Sequence, residues 1–436
     1  MDTIYNIGLD IGTSSVKGVL MGASAAEPTA VVRVPFVYDT DASGKVEIPF
    51  DRYLESVTRA VRELAAAVPD GGRLYALCAG AASGNLLLLD AAHQPITPII
   101  GWQDSRTDTE VAAVLGADFD YEDYYRSTGW GFDQKTFPLA TLCRLKIREP
   151  ALLKSAVYCA MSTEAMLWAL CGSWGISTSA GTPFYLIDQQ SGTYRTDLLA
   201  RFGFTEASVP PVVPVGSPVG RVTAAAAARY GIPEGLTLIA GAFDHPSAAR
   251  GVGITEPGTL LLSCGTSWVG FYPLNDRETG IRNHMLLDPF LSQTGDAWAG
   301  MVSLASVAGR IDDYIRLYIA DGAEMYDAFS KAAAESGSGA GGLRLTLTAA
   351  DDPELIRTYP KCHIARAIME CVIRMLDSDL RRLAEGGVHA DSAVMVGGPT
   401  ACPLWAEVIA EVTGLSVTMR HGAYAGAIGS ASLCRR

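Results

Sequence analysis

Positive charge is the first thing this 436-residue chain has little of. Lysine and arginine number 34 against 47 aspartates and glutamates, a formal charge of −13, and no basic cluster interrupts the acidic excess. Neutralising a phosphate backbone demands a basic stripe, so nucleic acid and anionic membrane surfaces are excluded as expected partners. Paired cysteines are also missing. The nine cysteines (78, 143, 159, 171, 264, 362, 371, 402 and 434) form an odd set without a C-x-x-C pair, which points away from a disulfide framework or a zinc ribbon and toward a reducing compartment. Apolar runs break at charges well before the roughly 18 residues that a bilayer span needs. The first residues, MDTIYNIGLD, carry an acidic side chain at once and no basic leader region, so the chain reads as soluble, unprocessed and cytoplasmic.

What is present is globular: 49% hydrophobic residues, 19% charged and 45 glycines, a composition that excludes disorder and implies many tight turns. The length suggests about two to four domains. Ile4 to Asp10, a small-residue turn Gly12-Thr13-Ser14-Ser15, and Val16 to Met21 read as a β-hairpin. A helix is expected over 51–68, where Leu54, Val57, Val61, Leu64 and Val68 recur at helical spacing behind Asp51 as N-cap. Strands are expected at Leu74–Cys78 and Leu86–Asp90. This mixture predicts an α/β domain with a partly antiparallel sheet.

Self-comparison adds a repeat. Gly12-Thr13-Ser14-x-Val16 recurs as Gly265-Thr266-Ser267-x-Val269, again between β-like runs, Thr259–Ser263 and Val269–Tyr272. The pattern predicts two similar domains, residues 1–236 and 237–436, parting in the proline-rich stretch 205–238. The second half continues with a weak linker at 336–342, a helix near 362–384, a strand Ala393–Val396, a Gly397-Gly398-Pro399 turn, a helix 401–413 stopped by Gly414, and a small-residue C-terminal helix.

Turns of Gly, Thr and Ser between strands expose N–H groups and hydroxyls that can wrap phosphate oxygens. Asp10 precedes the first turn, where a carboxylate can hold Mg²⁺ against phosphates, and Lys17 adds positive charge. The alternative is two unrelated hairpins with ordinary turns. Asp244, in Gly241-Ala-Phe-Asp244-His245-Pro246, can accept a proton from a substrate hydroxyl; position alone favours an N-cap for the helix that follows. Trp102-Gln-Asp104-Ser-Arg106 combines an aromatic face with hydrogen-bonding side chains suited to a sugar, or is a buried Trp beside a structural Asp/Arg pair. Trp130, between Gly129 and Gly131, is a second aromatic wall or a surface loop anchor.

In chain order these segments resemble the FGGY family of carbohydrate kinases, of the actin-like ATPase fold group. The matching segments are Asp10-Ile-Gly-Thr-Ser-Ser-Val-Lys17, Trp102-x-Asp104-x-Arg106, Gly241-Ala-Phe-Asp244, Gly265-Thr-Ser267, Arg366-Ala-x-x-Glu370, Gly397-Gly398 before Pro403-Leu-Trp405, and Gly426-Ala-Ile-Gly-Ser-Ala. The resemblance implies two ribonuclease-H-like domains with a catalytic cleft between them and ATP-dependent phosphorylation of a sugar or polyol hydroxyl. It implies Asp244 as general base, Asp10 for Mg²⁺, and Gly12, Thr13, Ser14, Ser15, Lys17, Gly265, Thr266 and Ser267 for phosphates. It further implies Gly397, Gly398 and Cys402 around the nucleotide, and Trp102, Asp104, Arg106, Ser83, Trp130 and His245 around the acceptor.

Three features depart from the family pattern. Ala82-Ser83-Gly84-Asn85 replaces the larger Gln-Met-His-Gly or Gln-Arg-Glu-Thr of many members, which implies an acceptor bulkier than glycerol or xylulose, or one held differently. His245-Pro246 is closer to the L-fuculose kinase-like branch and favours a six-carbon ketose. The segment 342–349 is shortened, which bears on the nucleotide pocket surface and on a homodimer contact, left open here. A catalytically silent sugar or nucleotide sensor on the same fold is the alternative function.

Overall fold

The computed structural model describes residues 3–82, 84–133, 135–265, 268–291, 297–304, 307–420 and 422–434. The chain forms two compact units. The first comprises Met1–Gly253 with Leu286–Asp296 and Tyr424–Arg436, the second Ile254–Met285 with Ala297–Ala423.

In the first unit, β1 (Thr3–Ile11), β2 (Ser15–Gly22), β3 (Ala30–Pro35), β4 (Gly72–Ala81), β5 (Pro218–Arg221) and β6 (Thr237–Ile239) form one sheet in the order β5-β6-β4-β1-β2-β3. β1 pairs antiparallel with β2 and parallel with β4, and β4 pairs parallel with β6. Central β1 is covered on both faces, which explains why Asn6 to Leu9 and Ile11 are all buried. Helix α1 (Phe50–Ala66) buries Leu54, Val57, Val61 and Leu64 against the sheet, the expected stripe. Its N-cap is Pro49, and Asp51 lies within the first turn instead of capping it. Helix α2 (Asp244–Gly251) follows β6.

In the second unit, β7 (Gly258–Cys264), β8 (Trp268–Leu274), β9 (Trp298–Leu304), β10 (Ala390–Gly397) and β11 (Ser416–Met419) run in the order β9-β8-β7-β10-β11. β7 pairs antiparallel with β8 and parallel with β10, and β10 pairs parallel with β11. This repeats β3-β2-β1-β4-β6 strand for strand, so the two five-residue matches mark two copies of one ribonuclease-H-like arrangement. Helices α3 (Lys361–Glu385) and α4 (Leu404–Thr413) match the expected spans to within three residues, and α4 ends at Gly414 in the left-handed region.

Two expectations about the chain path need correction. The stretch 205–238 is not a boundary, because β5 and the first residues of β6 lie in it and both belong to the first sheet. Its prolines suit this place, since β5 is an edge strand that opens with Pro218 and an edge tolerates a missing N–H. The units part at Gly253/Ile254, so Asp244 lies in the first. Residues 336–342 are likewise not a linker. The Glu370 carboxylate of α3 accepts from Gly339 N at 2.7 Å, and Ser336 Oγ meets His363 Nδ1 at 2.8 Å.

The small-residue C-terminal helix, Ala425–Ser432, closes the first unit against β1 and α2. A side chain at Gly426 would strike the Asp10 carboxylate, and one at Gly429 would strike the Ser247 carbonyl of α2. Only a helix without side chains at these points can lie this close.

Candidate active site

Three parallel strands of the first unit end at one edge of the sheet: Ile11 pairs with Ala81, and Ala81 bridges Phe243. Whatever follows β1, β4 and β6 is thereby gathered at their C-terminal ends, where open α/β sheets bind ligands. The Gly12–Ser14 turn, Ala82 and the Asp244 corner are so placed.

Asp10 and Lys17 face each other directly across the hairpin, with Nζ 3.7 Å from Oδ2. The Asp10 side chain is 17% exposed. Burial pushes its carboxyl up to about 6 against the pull of the Lys17 ammonium, and the nearby Asp244 carboxylate raises it further while His245 lowers it. The Asp244 carboxylate thus works against the charge on Asp10 that Lys17 supports, and a cation bound between the carboxylates would relieve that opposition. Ser15 belongs to β2 and is buried, so the turn proper is Gly12–Ser14.

Asp244 is the first residue of α2, after the N-cap Phe243. Its carboxylate makes no capping bond to the helix interior. Oδ1 instead accepts from His245 N at 2.7 Å and lies 3.8 Å from His245 Nε2. The side chain is 27% exposed. A carboxylate that is poorly used by its own helix and open to solvent at the ligand edge is suited to take a proton.

The acceptor-side residues divide. Asp104 is buried and Oδ2 accepts from Val46 N at 3.0 Å, while both its oxygens accept from Arg106 Nε at 2.9–3.0 Å. Arg106 also binds the Glu47 carboxylate at 2.5 Å. These two residues are spent on each other and on the adjoining strand, which is the structural pair among the two sequence alternatives.

Trp102 stacks on Phe137, with centroids 5.7 Å apart, and Phe137 meets Trp130 and Tyr185 at 5.8 and 5.0 Å. Trp130 is buried rather than a surface anchor, gives its indole N–H to Leu287 O at 2.9 Å, and packs edge-on against Phe243 at 5.6 Å. Phe243 in turn packs edge-on against His245 at 5.3 Å. The rings form a continuous wall from Trp102 to the Asp244 corner. Sequence reading missed Phe137, Tyr185 and Phe243, because single aromatics on separate elements carry no periodic signal. Gly84 abuts the Phe137 ring, and Asn85 is a buried anchor whose Oδ1 accepts from Ser162 N at 2.7 Å. Ser83 lies outside the described residues.

In the second unit Cys264 pairs with Gly397, so Gly265 and Gly398 leave the ends of adjacent parallel strands together. Gly397 has φ 110° and backs directly onto the Cys264 carbonyl, a position closed to any side chain. Gly265 and Gly398 are exposed and Cys402 is half-buried. Thr266 and Ser267 lie outside the described residues.

Among the described residues no group of three or more His, Cys, Asp or Glu forms a complete metal site, and no helix is long and apolar enough to cross a membrane. All nine cysteines are free.

Comparison with known proteins accords with this architecture. Residues 5–251 match the family model of the FGGY family of carbohydrate kinases, N-terminal domain. The chain is 24% identical to the xylulose kinase of Bacillus subtilis (strain 168), over 98% of this chain and 87% of that protein. It is 24% identical to an autoinducer-2 kinase of Yersinia enterocolitica, over 98% and 85%. The crystal structure of xylulose kinase from Rhodospirillum rubrum superposes with a TM-score of 0.85 at 25% identity, covering 98% of this chain and 89% of that one. With more than half its length in the family model and the duplicated actin-like fold throughout, this chain belongs to the FGGY family of carbohydrate kinases.

Proposed function

We propose that the protein transfers the terminal phosphoryl group of ATP to a hydroxyl of a ketose or polyol, with Asp244 as the general base. The observation that carries this reading is the placement of Asp244. It opens a helix without capping it, stays partly exposed at the ligand edge of the sheet, and stands near the Asp10 carboxylate, whose charge it opposes. Its Oδ1 is engaged by the His245 N–H, which leaves Oδ2 to receive the acceptor's proton.

The remaining residues take roles around it. Asp10 suits Mg²⁺, which needs only one or two protein carboxylates and takes its other ligands from water and phosphate. When bound, the metal neutralises charge on the transferring phosphoryl group. The Gly12–Ser14 turn offers backbone N–H groups and hydroxyls to phosphate oxygens, and Lys17 adds charge. Gly265, Gly397, Gly398 and Cys402 form the nucleotide's seat in the second unit, and the sequence assigns Thr266 and Ser267 to the same turn. Trp102 and the wall behind it present C–H-binding surface to the acceptor, and His245 borders it. Asp104 and Arg106 hold the Trp102 segment in place. The relatives named for xylulose support a ketose acceptor. Phe137 occupies the space beside Gly84, so the absence of a large side chain there does not by itself require a bulkier sugar.

An ADP-release assay over ketopentoses, ketohexoses, deoxyketoses and polyols identifies the acceptor. On that acceptor Asp244→Asn is expected to lower kcat by about 10²–10⁴, with Kd for Mg·ATP and Tm near the wild-type values. Turnover close to wild type refutes the assignment of the base, and absence of ADP release with every acceptor refutes the kinase in favour of a silent sensor.

A further inference from the structure

We infer that Asp288, acting through Ser179, is a positioning residue that fixes the corner carrying Asp244. Both side chains are fully buried. A buried carboxylate is expensive unless its oxygens are satisfied and its charge is balanced, and nothing in the acceptor wall or the phosphate turn uses this one.

Its bonds lead to the base. Asp288 Oδ1 accepts from Phe290 N at 2.8 Å, and Oδ2 accepts from Ser179 Oγ at 2.8 Å. The same Ser179 Oγ accepts from Phe243 N at 3.2 Å. Phe243 is the residue immediately before Asp244. Two residues earlier in the serine segment, Ser177 Oγ donates to Gly241 O at 2.6 Å. The peptide on which Asp244 turns is therefore held at both Gly241 and Phe243. A hydroxyl that donates to a carboxylate is polarised and becomes a better acceptor for the Phe243 N–H.

The charge of Asp288 is met from the helix that Asp244 opens. Arg250 of α2 donates to Phe290 O and lies over the Phe290 ring at 4.8 Å. Burial raises the Asp288 carboxyl to about 6, while the Ser179 bond and the Arg250 guanidinium pull it down.

The same short segment holds the acceptor wall. Leu287 O accepts from Trp130 Nε1 at 2.9 Å and from Gln189 Nε2 at 2.8 Å, and Leu287 N donates to Gly129 O at 2.9 Å. Leu287 and Asp288 thus tie the Trp130 ring of the aromatic wall to the corner that bears Asp244. Displacing a reacting group by about 1 Å costs on the order of 10² in rate, so a tie of this kind acts on kcat.

The inference rests on Asp244 being the base, and the test separates the two claims. Ser179→Ala, Asp288→Asn and their double variant are assayed for kcat, acceptor KM, Kd for Mg·ATP and Tm, and Ser179→Ala is also placed in an Asp244→Asn background. Each single change is expected to lower kcat by about 10–100-fold, with acceptor KM and nucleotide Kd within about threefold. The double variant should fall no further than the worse single, because the groups act in series. With Asp244 already replaced, Ser179→Ala should change the residual kcat less than twofold, since no base remains to be positioned. A merely structural role predicts the same loss in both backgrounds, and that result overturns the inference. Wild-type kcat in folded Ser179→Ala overturns it as well while leaving Asp244 as base. Full turnover in Asp244→Asn removes both claims. If Asp288→Asn does not fold, the two Ser179→Ala backgrounds decide.

Discussion

Replacing Glu164 by glutamine should make the protein more stable at neutral and alkaline pH and leave it nearly unchanged in acid. Glu164 sits in the first turn of the helix Ser162–Cys171, is 2% exposed, and its Oε2 has no hydrogen-bond partner among the described residues. Tyr53 and Tyr194 lie near it, and neither is a cation. Burial pushes its carboxyl from the usual 4.5 up to about 7. The folded state therefore holds its proton more tightly than the unfolded chain. Between pH 4.5 and 7 unfolding releases that proton, so stability falls as pH rises through this window and stays lost above it. At about 1.4 kcal/mol per pH unit the loss amounts to about 3 kcal/mol. Glutamine carries no proton to lose. Urea unfolding of wild type and Glu164→Gln at pH 4.5, 6 and 8 is the assay, and only the difference between them matters, because every other titrating group cancels. That difference should grow by about 3 kcal/mol in favour of the variant from pH 4.5 to 8. A difference that stays flat across the range refutes the argument, and with it the claim that burial holds a proton on this carboxyl in the folded protein up to about pH 7.

Gly429→Ala drives a methyl group into the Ser247 carbonyl on α2, where backbone cannot yield as a side chain would, and is expected to cost at least about 2 kcal/mol, read as a lowered Tm. Asp104→Ala leaves Val46 N without its partner and Arg106 with Glu47 alone; because Arg106 is about one-fifth exposed and keeps that second carboxylate, the loss should be on the order of 2 kcal/mol rather than the larger value of a sealed pair. Its acceptor KM should move less than threefold, and a tenfold rise would return Asp104 to the sugar pocket. Trp102→Ala should do the reverse, raising acceptor KM with little change in Tm, and an unchanged KM would put the sugar elsewhere. In Asp10→Asn the Mg²⁺ dependence of kcat should move to higher concentration, and an unaltered titration curve would count against Asp10 as the metal's carboxylate.

The hairpins, the long helices and the repeat were legible in the sequence because each is carried by neighbours. An apolar run, a turn of small residues and a second run need no distant partner to declare a hairpin, and Leu54, Val57, Val61 and Leu64 mark one face of α1 whatever that face touches. The duplicated Gly-Thr-Ser turn was equally local, and it led to two copies of one strand order. Where the sequence misled, a local signal had two physical solutions. Prolines between 205 and 238 suit a linker or an edge strand, and the sheet supplied the edge. Asp104 and Arg106, two residues apart, suit a ligand or each other, and in the fold they bind each other beside Val46. Asp244 suited a cap or a base, and a cap requires the position that Phe243 occupies.

Tertiary structure alone decided the company each functional residue keeps. Which chain segments meet at the ligand edge follows from parallel register, Ile11 to Ala81 and Ala81 to Phe243, and register depends on how whole strands bury their faces. The wall from Trp102 through Phe137 and Trp130 to Phe243 has no period to read, since each ring comes from a different element. Asp288 and Ser179 stand 109 residues apart, and a bond across that distance leaves no mark in either local sequence. The residue types needed for phosphoryl transfer are written along the chain because chemistry restricts them one by one. Their arrangement is not, because it comes from packing between segments that sequence neighbours do not constrain.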